Sequence, residues 1–230
     1  MTDAADGGPA DRPGGGLLRL VAVMDRLRTE CPWDAKQTHA TLAPYLLEES
    51  YEALDALQSG DQAALRDELG DVLLQVAFHA RVAAERTDGT GYTIDDVADG
   101  IVAKLVRRHP HVFGDVSVSG ADEVTQNWDA IKAAERASAG GPPASAFDGV
   151  PLGQPALSLA AQLRRRAERA GVPDELAELP PGPAVSEIGA ELFALVARAR
   201  AAGLDPELEL RSAARAYRDR VRAWEAGRRA

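Results

Sequence analysis

Five acidic residues form two short motifs whose types and spacing could hold a metal ion. Glu48, Glu49 and Glu52 lie within one helical turn of LLEESYEALDAL, and Glu68 and Asp71 follow in LRDELGD. Like charges on neighbouring turns of a helix repel one another. A partly buried acidic cluster therefore needs either protonation or a bound cation. Hard divalent cations prefer oxygen ligands, and Mg²⁺ is the usual ion where phosphates complete its shell, so the pattern predicts divalent metal chemistry.

The two motifs are predicted to lie side by side at matching heights. They belong to two predicted helices that are joined through a turn at Gly60, which is so short that the helices must pack antiparallel. Counted from Gly60, Glu52 and Glu68 are each eight residues away, and Glu49 and Asp71 are each eleven away. Both helices rise by about 1.5 Å per residue, so equal separations mean equal heights.

Helical periodicity also predicts the direction in which these acids point. At about 100° per residue, Glu49, Glu52, Glu68 and Asp71 all fall on or beside the apolar stripes of their helices, and we expect them to face the seam. A single glutamate in such a place is ordinarily solvated and paired with Lys or Arg. The paired E-x-x-E and E-x-x-D motifs favour a metal site instead, and the absence of E-x-x-H argues against a di-iron bundle.

The rest of the chain is predicted to be helical as well. Ala and Leu dominate, β-branched and aromatic residues are few, and the apolar periodicity is near 3.6 almost throughout, which predicts an all-α fold. Thr41 is the expected N-cap of the second helix, Asp61 that of the third, and Thr93 with Asp96 forms a capping box for the fourth. The predicted helices are about 17–29, 41–59, 62–86, 93–109, 121–136, 156–170, 186–202 and 206–227.

Composition shifts divide the chain into four predicted segments. Residues 1–16 are expected to be a disordered tail, 17–136 a first helical domain, and 137–155 a Gly/Pro-rich linker before a second helical region, 156–230. The second region contains an internal repeat of the first, because residues 187–204 align with residues 68–85.

Charge and cysteine content exclude several classes of protein. The net charge of −10 disfavours a nucleic-acid-binding protein or one that binds acidic membranes. Cys31 is the only cysteine, so no intrachain disulfide can form, which is typical of a reducing compartment. The N-terminus lacks the pattern of a signal peptide, and no apolar run approaches the roughly 20 residues of a membrane span. We therefore expect a cytoplasmic protein without membrane or nucleic-acid partners.

Three segments together resemble one known family. CPWDAKQTHATLAPYLLEESYEALDAL, LRDELGDVLLQVAFHARVA and KLVRRHPHVFGD are similar to the MazG nucleoside triphosphate pyrophosphohydrolases, whose signature is EExxE followed by ExxD. The resemblance covers about 17–136. It implies an all-α MazG-like bundle, a homodimer whose sites use both protomers, and dependence on Mg²⁺, with Mn²⁺ as the alternative. It also implies hydrolysis of NTPs or dNTPs to the monophosphate and pyrophosphate, as a housekeeping removal of excess or aberrant nucleotides.

The resemblance assigns roles to the five acids. It makes Glu49, Glu52, Glu68 and Asp71 the metal ligands, the same four residues that the heights select. Glu48 is then the additional acid, which would orient or deprotonate the attacking water. A metal ion can itself lower the pKa of a bound water, so the identity of the base stays open.

Basic residues near the end of the fourth helix are the predicted triphosphate contacts. Lys104, Arg107 and Arg108 share one helix face through their i, i+3, i+4 spacing, and the family uses a matching K-x-x-R-R for the triphosphate. Arg offers bidentate donors to phosphate oxygens. The alternative is that these cations only complement the helix dipole. Lys36 is a further predicted phosphate contact.

Aromatic residues and histidines carry weaker signals. Trp33 and Trp128 are candidates for stacking on the nucleotide base, although either could equally pack in the core or at the dimer interface. The histidines follow no metal-binding spacing and are expected to be structural: His39, His79, His109 and His111.

The second helical region departs from the family pattern. Its internal repeat keeps Glu187 and Gly189 but has Ala190 at the position of Asp71, and no EExxE motif precedes it. We therefore expect this region to support the fold or the assembly without binding a metal–triphosphate complex. Two other functions stay open at this point: a pyrophosphatase restricted to one nucleotide such as dUTP or dCTP, and a non-catalytic nucleotide sensor or assembly protein.

Overall fold

The computed structural model describes residues 14–138 and 145–228, and the regular secondary structure within these ranges is helical. The predicted all-α class is therefore confirmed. A 3₁₀ turn, Asp34–Lys36, lies between the first two helices. The α-helices are α1 (Gly15–Glu30), α2 (His39–Ser59), α3 (Gln62–Ala83), α4 (Ile94–Arg108), α5 (Pro110–Phe113), α6 (Ala121–Ser138), α7 (Ala156–Arg169), α8 (Asp174–Ala177), α9 (Glu187–Ala201) and α10 (Pro206–Gly227).

The long helices follow the sequence prediction to within a few residues, whereas the four-residue helices α5 and α8 were not predicted. The predicted tail, 1–16, lies largely outside the described residues, but Gly15 and Gly16 belong to α1. The linker prediction falls partly on residues 139–144, which are also outside them. Contacts between residues divide the chain into two units, Met1–Asp129 and Ala130–Ala230, with the boundary inside α6. The predicted domain limits stay predictions.

The hairpin of α2 and α3 is defined by its end groups. The N-cap of α2 is Thr38, so the prediction that placed it at Thr41 is wrong. The Thr38 hydroxyl accepts a hydrogen bond from the backbone N–H of Thr41 (3.2 Å), and the Thr41 hydroxyl accepts one from the backbone N–H of Thr38 (2.8 Å). At the other end, Gly60 adopts a positive φ of 75°, a conformation that glycine tolerates best. Asp61 then caps α3 by accepting from two backbone N–H groups, as predicted.

The core of the first unit is small and joins its first three long helices. Met24 of α1, Leu42 of α2 and Phe78 of α3 are buried against one another, with Leu74 and Val82 packed beside them. Many other apolar side chains of this unit remain exposed. In the described part of the chain, no helix combines the length and the apolarity that crossing a membrane requires.

A buried arginine fastens the turn between α1 and α2. The Arg28 side chain is 9% exposed and donates to both carboxylate oxygens of Glu85, each at 2.8 Å. The same guanidinium donates to the backbone carbonyls of Asp34 and Gln37, the latter at 2.9 Å. Arg81 adds a second cation to Glu85 at 3.0 Å. One carboxylate thus anchors the arginine that closes the CPWD turn, which leads into α2.

The second unit packs α7, α9 and α10 against one another. Ala161 of α7 and Val196 of α9 are buried, and the Arg164 guanidinium lies over the Phe193 ring at 5.0 Å. Part of the predicted linker belongs to this packing: Val150 is buried, and Arg166 donates to the backbone carbonyl of Asp148 at 2.6 Å. The described end of the linker is therefore attached to α7.

Replacing Glu85 by Gln should destabilise the protein in a pH-dependent way. The hydrogen bond from Arg28 holds the pKa of the Glu85 carboxyl below its ordinary value of 4.5. The stabilisation is thus complete above that ordinary value and is lost as the pH falls through the lowered one. Because Glu85 is partly exposed, we expect Glu85→Gln to cost about 1 kcal/mol at pH 7.

Denaturant unfolding of wild type and variant at pH 7, 5 and 3.5 measures this cost, which should shrink at the lowest pH. Glu30→Gln removes the exposed i, i+4 partner of Arg26 and serves as the control, with a change of less than about 0.5 kcal/mol. A Glu85→Gln cost that is constant across this pH range would contradict the assignment.

Candidate metal and triphosphate site

Three of the predicted metal ligands meet across the seam between α2 and α3. Glu49, Glu68 and Asp71 each place one carboxylate oxygen within 4.8 Å of the other two. Glu49 comes from α2, while Glu68 and Asp71 lie three residues apart on α3 and therefore share a face. Within residues 14–138 and 145–228, this is the group of three or more such side chains that could hold an ion.

Burial and mutual repulsion both disfavour the charged form of the acids in this cluster. Partial burial, followed by the charges of Asp71 and Glu52, raises the pKa of the Glu49 carboxyl. Burial and the same two neighbours raise the pKa of Glu68. Both shifts mean that the ionised form is unfavourable where it stands, so the cluster attracts protons or cations.

The donor set fits a hard divalent cation. It consists of carboxylate oxygens, which Mg²⁺ and Mn²⁺ both accept as ligands. Two oxygens on opposite sides of one Mg²⁺ are about 4.2 Å apart, so a spread of at most 4.8 Å is close to what a shared ion needs. These residues could therefore hold a cation, and the donor chemistry does not distinguish Mg²⁺ from Mn²⁺.

The remaining two acids border this cluster. Glu52 is not one of the three residues whose carboxylate oxygens lie within 4.8 Å of one another, but its charge raises the pKa of both Glu49 and Glu68. Glu48 likewise contributes to the raised pKa of Glu49. Glu49 and Glu68 are half-buried, whereas Glu52 and Asp71 are exposed. Asp71 nevertheless meets the other two across the seam, and the assignment of all four acids as ligands stays a prediction.

The predicted phosphate contacts occupy the end of α4. Lys104 and Arg107 are exposed, whereas Arg108 is half-buried with its guanidinium 5.7 Å from the centre of the Trp128 ring. Lys36 is exposed in the 3₁₀ turn. Three basic residues thus lie at neighbouring positions near the end of one helix, and one of them, Arg108, lies over an aromatic ring.

The two candidate tryptophans have different surroundings. Trp33 is 51% exposed and meets Tyr45 edge-on, with ring centroids 5.9 Å apart. Trp128 contacts residues of its own chain, because Arg108 lies over its ring and His109 meets it edge-on at 4.7 Å. Trp33 therefore offers an open aromatic surface, and Trp128 packs against the basic end of α4.

Sequence reasoning missed a pairing of two histidines across the α2–α3 hairpin. The Nδ1 atoms of His39 and His79 are 2.8 Å apart, and their rings are stacked with an interplanar angle of 3°. Burial and the charge of His39 lower the pKa of His79. The residues are forty positions apart, so no local motif could have revealed the contact.

A family comparison identifies the region that contains the acids. The model of the MazG nucleotide pyrophosphohydrolase domain matches residues 37–113. This range includes the five acids of α2 and α3 and the K-x-x-R-R segment of α4, while Trp33, Lys36 and Trp128 lie outside it.

Relatives match a much larger part of the chain. A 26.1 kDa protein of Streptomyces cacaoi is 49% identical over 95% of this chain and 86% of its own length. The nucleoside triphosphate pyrophosphohydrolase of Mycolicibacterium smegmatis is 45% identical over 95% of this chain, which spans 62% of that protein. The nucleoside triphosphate pyrophosphohydrolase/pyrophosphatase MazG of Thermotoga maritima is 38% identical over 90% of this chain and 84% of its own length. With a domain match that contains the acidic cluster and relatives of this similarity along most of its length, the chain belongs to the MazG family.

Proposed function

We propose that this protein is a nucleoside triphosphate pyrophosphohydrolase, which cleaves NTPs or dNTPs to the monophosphate and pyrophosphate. The observation that carries the proposal is the meeting of Glu49, Glu68 and Asp71 inside the matched MazG domain. Relatives from Mycolicibacterium smegmatis and Thermotoga maritima are named for this activity. Removal of excess or aberrant nucleotides is the corresponding cellular role, and we place it in the cytoplasm.

The acids divide into ligands and a proton acceptor in this proposal. Glu49, Glu68 and Asp71 would hold Mg²⁺, with Glu52 beside them as a fourth ligand. The bound ion supplies charge neutralisation at the phosphates and a lowered pKa for water. Glu48 accepts a proton from the water whose oxygen bonds to the α-phosphorus, as the bond from that phosphorus to the bridging oxygen breaks.

The basic end of α4 stabilises the leaving pyrophosphate. Lys104, Arg107 and Arg108 donate to its oxygens, where negative charge builds up as the bond breaks. Trp128 supports this group because its ring holds the Arg108 guanidinium. Trp33 is the better candidate for stacking on the base, since half of its surface is open. Lys36, close to it in sequence, is a further phosphate contact.

Neutralising one ligand should raise the stability of the metal-free protein and abolish its response to metal. Glu49→Gln removes a charge that the cluster disfavours, so the melting temperature in metal-free buffer should rise. The rise in melting temperature that Mg²⁺ or Mn²⁺ causes in wild type should be lost. Loss of a residue that only orients a metal ligand lowers activity roughly 10–100-fold. Loss of a ligand itself should therefore lower pyrophosphate release by at least as much.

Thermal melts with and without Mg²⁺, together with pyrophosphate release from a panel of NTPs and dNTPs, measure these effects. Asp99→Asn, an exposed acid on α4, is the matched control and should leave both unchanged. Metal-independent pyrophosphate release, or equal activity of wild type and Glu49→Gln, would reject the proposed function. The same panel reports whether one nucleotide is preferred.

Removing a phosphate contact should weaken catalysis without affecting metal binding. Arg107→Gln is expected to lower kcat/KM for a triphosphate on the order of 100-fold, as for the loss of one donor to a developing charge. The Mg²⁺-induced rise in melting temperature should persist, because Arg107 is not a ligand. Arg19→Gln on α1 provides the control substitution. If Arg107→Gln keeps full activity, Arg107 does not bind the triphosphate and only complements the helix dipole of α4.

We also propose a homodimer through the first unit. Its α3 helix exposes Leu69, Leu73 and Val76, which are 37–52% exposed and lie on one helix face. Apolar stripes of this kind are typical of association surfaces. Leu73→Lys should therefore shift the protein toward monomer in sedimentation velocity, whereas Leu18→Lys on α1 should not. A wild-type protein that is monomeric at micromolar concentration would contradict this part of the proposal.

A further inference from the structure

Gln75 of α3 is a buried amide whose oxygen lacks a hydrogen bond. The residue is 5% exposed, and its Oε1 atom has no hydrogen-bond partner among the residues that the structure describes. A buried polar atom of this kind lowers the stability of the fold, because it gives up its hydrogen bonds to water without a replacement. Such an atom needs an explanation, and a ligand that completes the hydrogen bond provides one.

Contacts on either side of Gln75 fix the direction in which it faces. Asp71, one helical turn before it, meets Glu49 of α2 in the acidic cluster. His79, one turn after it, meets His39 of α2 with the Nδ1 atoms 2.8 Å apart. Residues four apart share one face of a helix. Gln75 therefore lies between these two contacts, on the side of α3 that faces α2.

The open aromatic ring of Trp33 lies beside this position. Its side chain is 51% exposed, and its ring centroid is 5.9 Å from that of Tyr45 and 6.5 Å from that of Phe78. Tyr45 is fifteen residues before Gly60 and Gln75 is fifteen residues after it, so the two are level on the hairpin. Phe78 follows Gln75 by three residues and shares its side of α3. The Trp33 ring thus packs on two neighbours of the amide, one on each helix.

The amide also lies at a suitable distance from the acids. Gln75 is four residues beyond Asp71, which is about 6 Å along the helix axis. In a nucleotide, the ribose separates the α-phosphate from the base by a similar distance. A triphosphate whose α-phosphate is held at the acidic cluster would therefore carry its base to the level of Gln75 and Trp33.

We infer that Gln75 binds the hydrogen-bonding edge of the nucleobase while Trp33 stacks on its face. The inference rests on the proposed function, because that function places the triphosphate at the acidic cluster. Every natural base has an N–H group on its Watson–Crick edge, which can donate to Oε1, and an acceptor beside it for the amide N–H of Gln75. The terminal torsion of a glutamine is soft, so the amide can turn to reach the base.

The two side chains have different tasks in this arrangement. An aromatic ring stacks on any base, because every base has a π-face. An amide forms hydrogen bonds only with an edge that presents a donor and an acceptor in matching places. Gln75 is therefore the residue that determines base specificity, and Trp33 contributes affinity for all bases.

Nucleotide binding measured by isothermal titration calorimetry tests the contact. The ligands are Mg²⁺ complexes of α,β-methylene triphosphates of each base, in which a CH₂ group prevents release of pyrophosphate, and of inorganic tripolyphosphate, which has no base. Gln75→Leu should weaken binding of the best-bound nucleotide about five- to tenfold, as for the loss of one hydrogen bond, and should reduce the spread of affinities among the bases. The affinity for tripolyphosphate should be unchanged.

Gln58 provides a matched control at the other end of the hairpin. It lies on α2 two residues before Gly60, and its Oε1 atom is likewise buried without a partner in the part of the chain that the structure describes. Gln58→Leu and Gln75→Leu each remove such an oxygen, so both should raise the melting temperature by about 2–4 °C. Only Gln75→Leu should alter nucleotide binding. Gln75→Met, which keeps the length of the side chain without the amide, should bind nucleotides as Gln75→Leu does.

Two outcomes distinguish failure of this inference from failure of the proposed function. If Gln75→Leu binds all nucleotides as wild type does, or loses affinity for tripolyphosphate to the same extent, the base contact is wrong, whether or not wild type releases pyrophosphate. If the analogues bind in a Gln75-dependent way but wild type releases no pyrophosphate from NTPs or dNTPs, the proposed activity is wrong and the base contact is supported.

Discussion

The connection between α2 and α3 is the constraint on which the candidate site depends. Gly60 reverses the chain with a positive φ, and Asp61 starts the next helix at once, so the two helices run antiparallel from a common origin. Because their rise per residue is the same, the sequence separation from the turn fixes the height of every side chain. This brings Glu49 level with Asp71 and places Glu68 near both. A single residue inserted into either helix between the turn and the acids would shift one set of acids by about 1.5 Å and rotate it by about 100°.

A second constraint acts on the other end of the hairpin. The Arg28–Glu85 pair and the carbonyls that Arg28 binds hold the chain before α2 in a defined path. Trp33 therefore occupies a fixed place beside Tyr45, which lies one turn before Glu49 on α2. The acids of the cluster repel one another and destabilise the fold. The ion pairs of Glu85 with Arg28 and Arg81 stabilise it in another part of the first unit.

The sequence predicted those features that depend on local rules. The all-α class, the glycine turn, the Thr93–Asp96 capping box and the matching heights of Glu49 and Asp71 all follow from periodicity and end groups. Features that depend on how each helix is rolled about its axis were less predictable. Periodicity fixes that rotation only to within about one residue, so it did not distinguish Glu52, which lies outside the three-residue cluster, from Glu49, Glu68 and Asp71, which form it.

Contacts between distant residues could not be predicted at all. The buried Arg28, the stacked His39–His79 pair and the support of Arg108 by Trp128 join segments that share no motif. Each depends on the packing of several helices. The Thr38 cap is a different case, because two threonines three residues apart can each cap the helix, and the reciprocal hydrogen bonds decide in favour of the earlier one.

The small core around Met24, Leu42 and Phe78 has a calorimetric consequence. Apolar surface that is exposed on unfolding produces the heat-capacity increment, and the same area sets the denaturant m-value. A single chain that leaves its leucine stripes in water therefore unfolds with an increment below the roughly 12–15 cal/mol/K per residue of ordinary globular proteins. Burial of these stripes in the proposed homodimer would raise the increment, so the curvature of the free energy of unfolding with temperature measures how much apolar surface is buried between subunits.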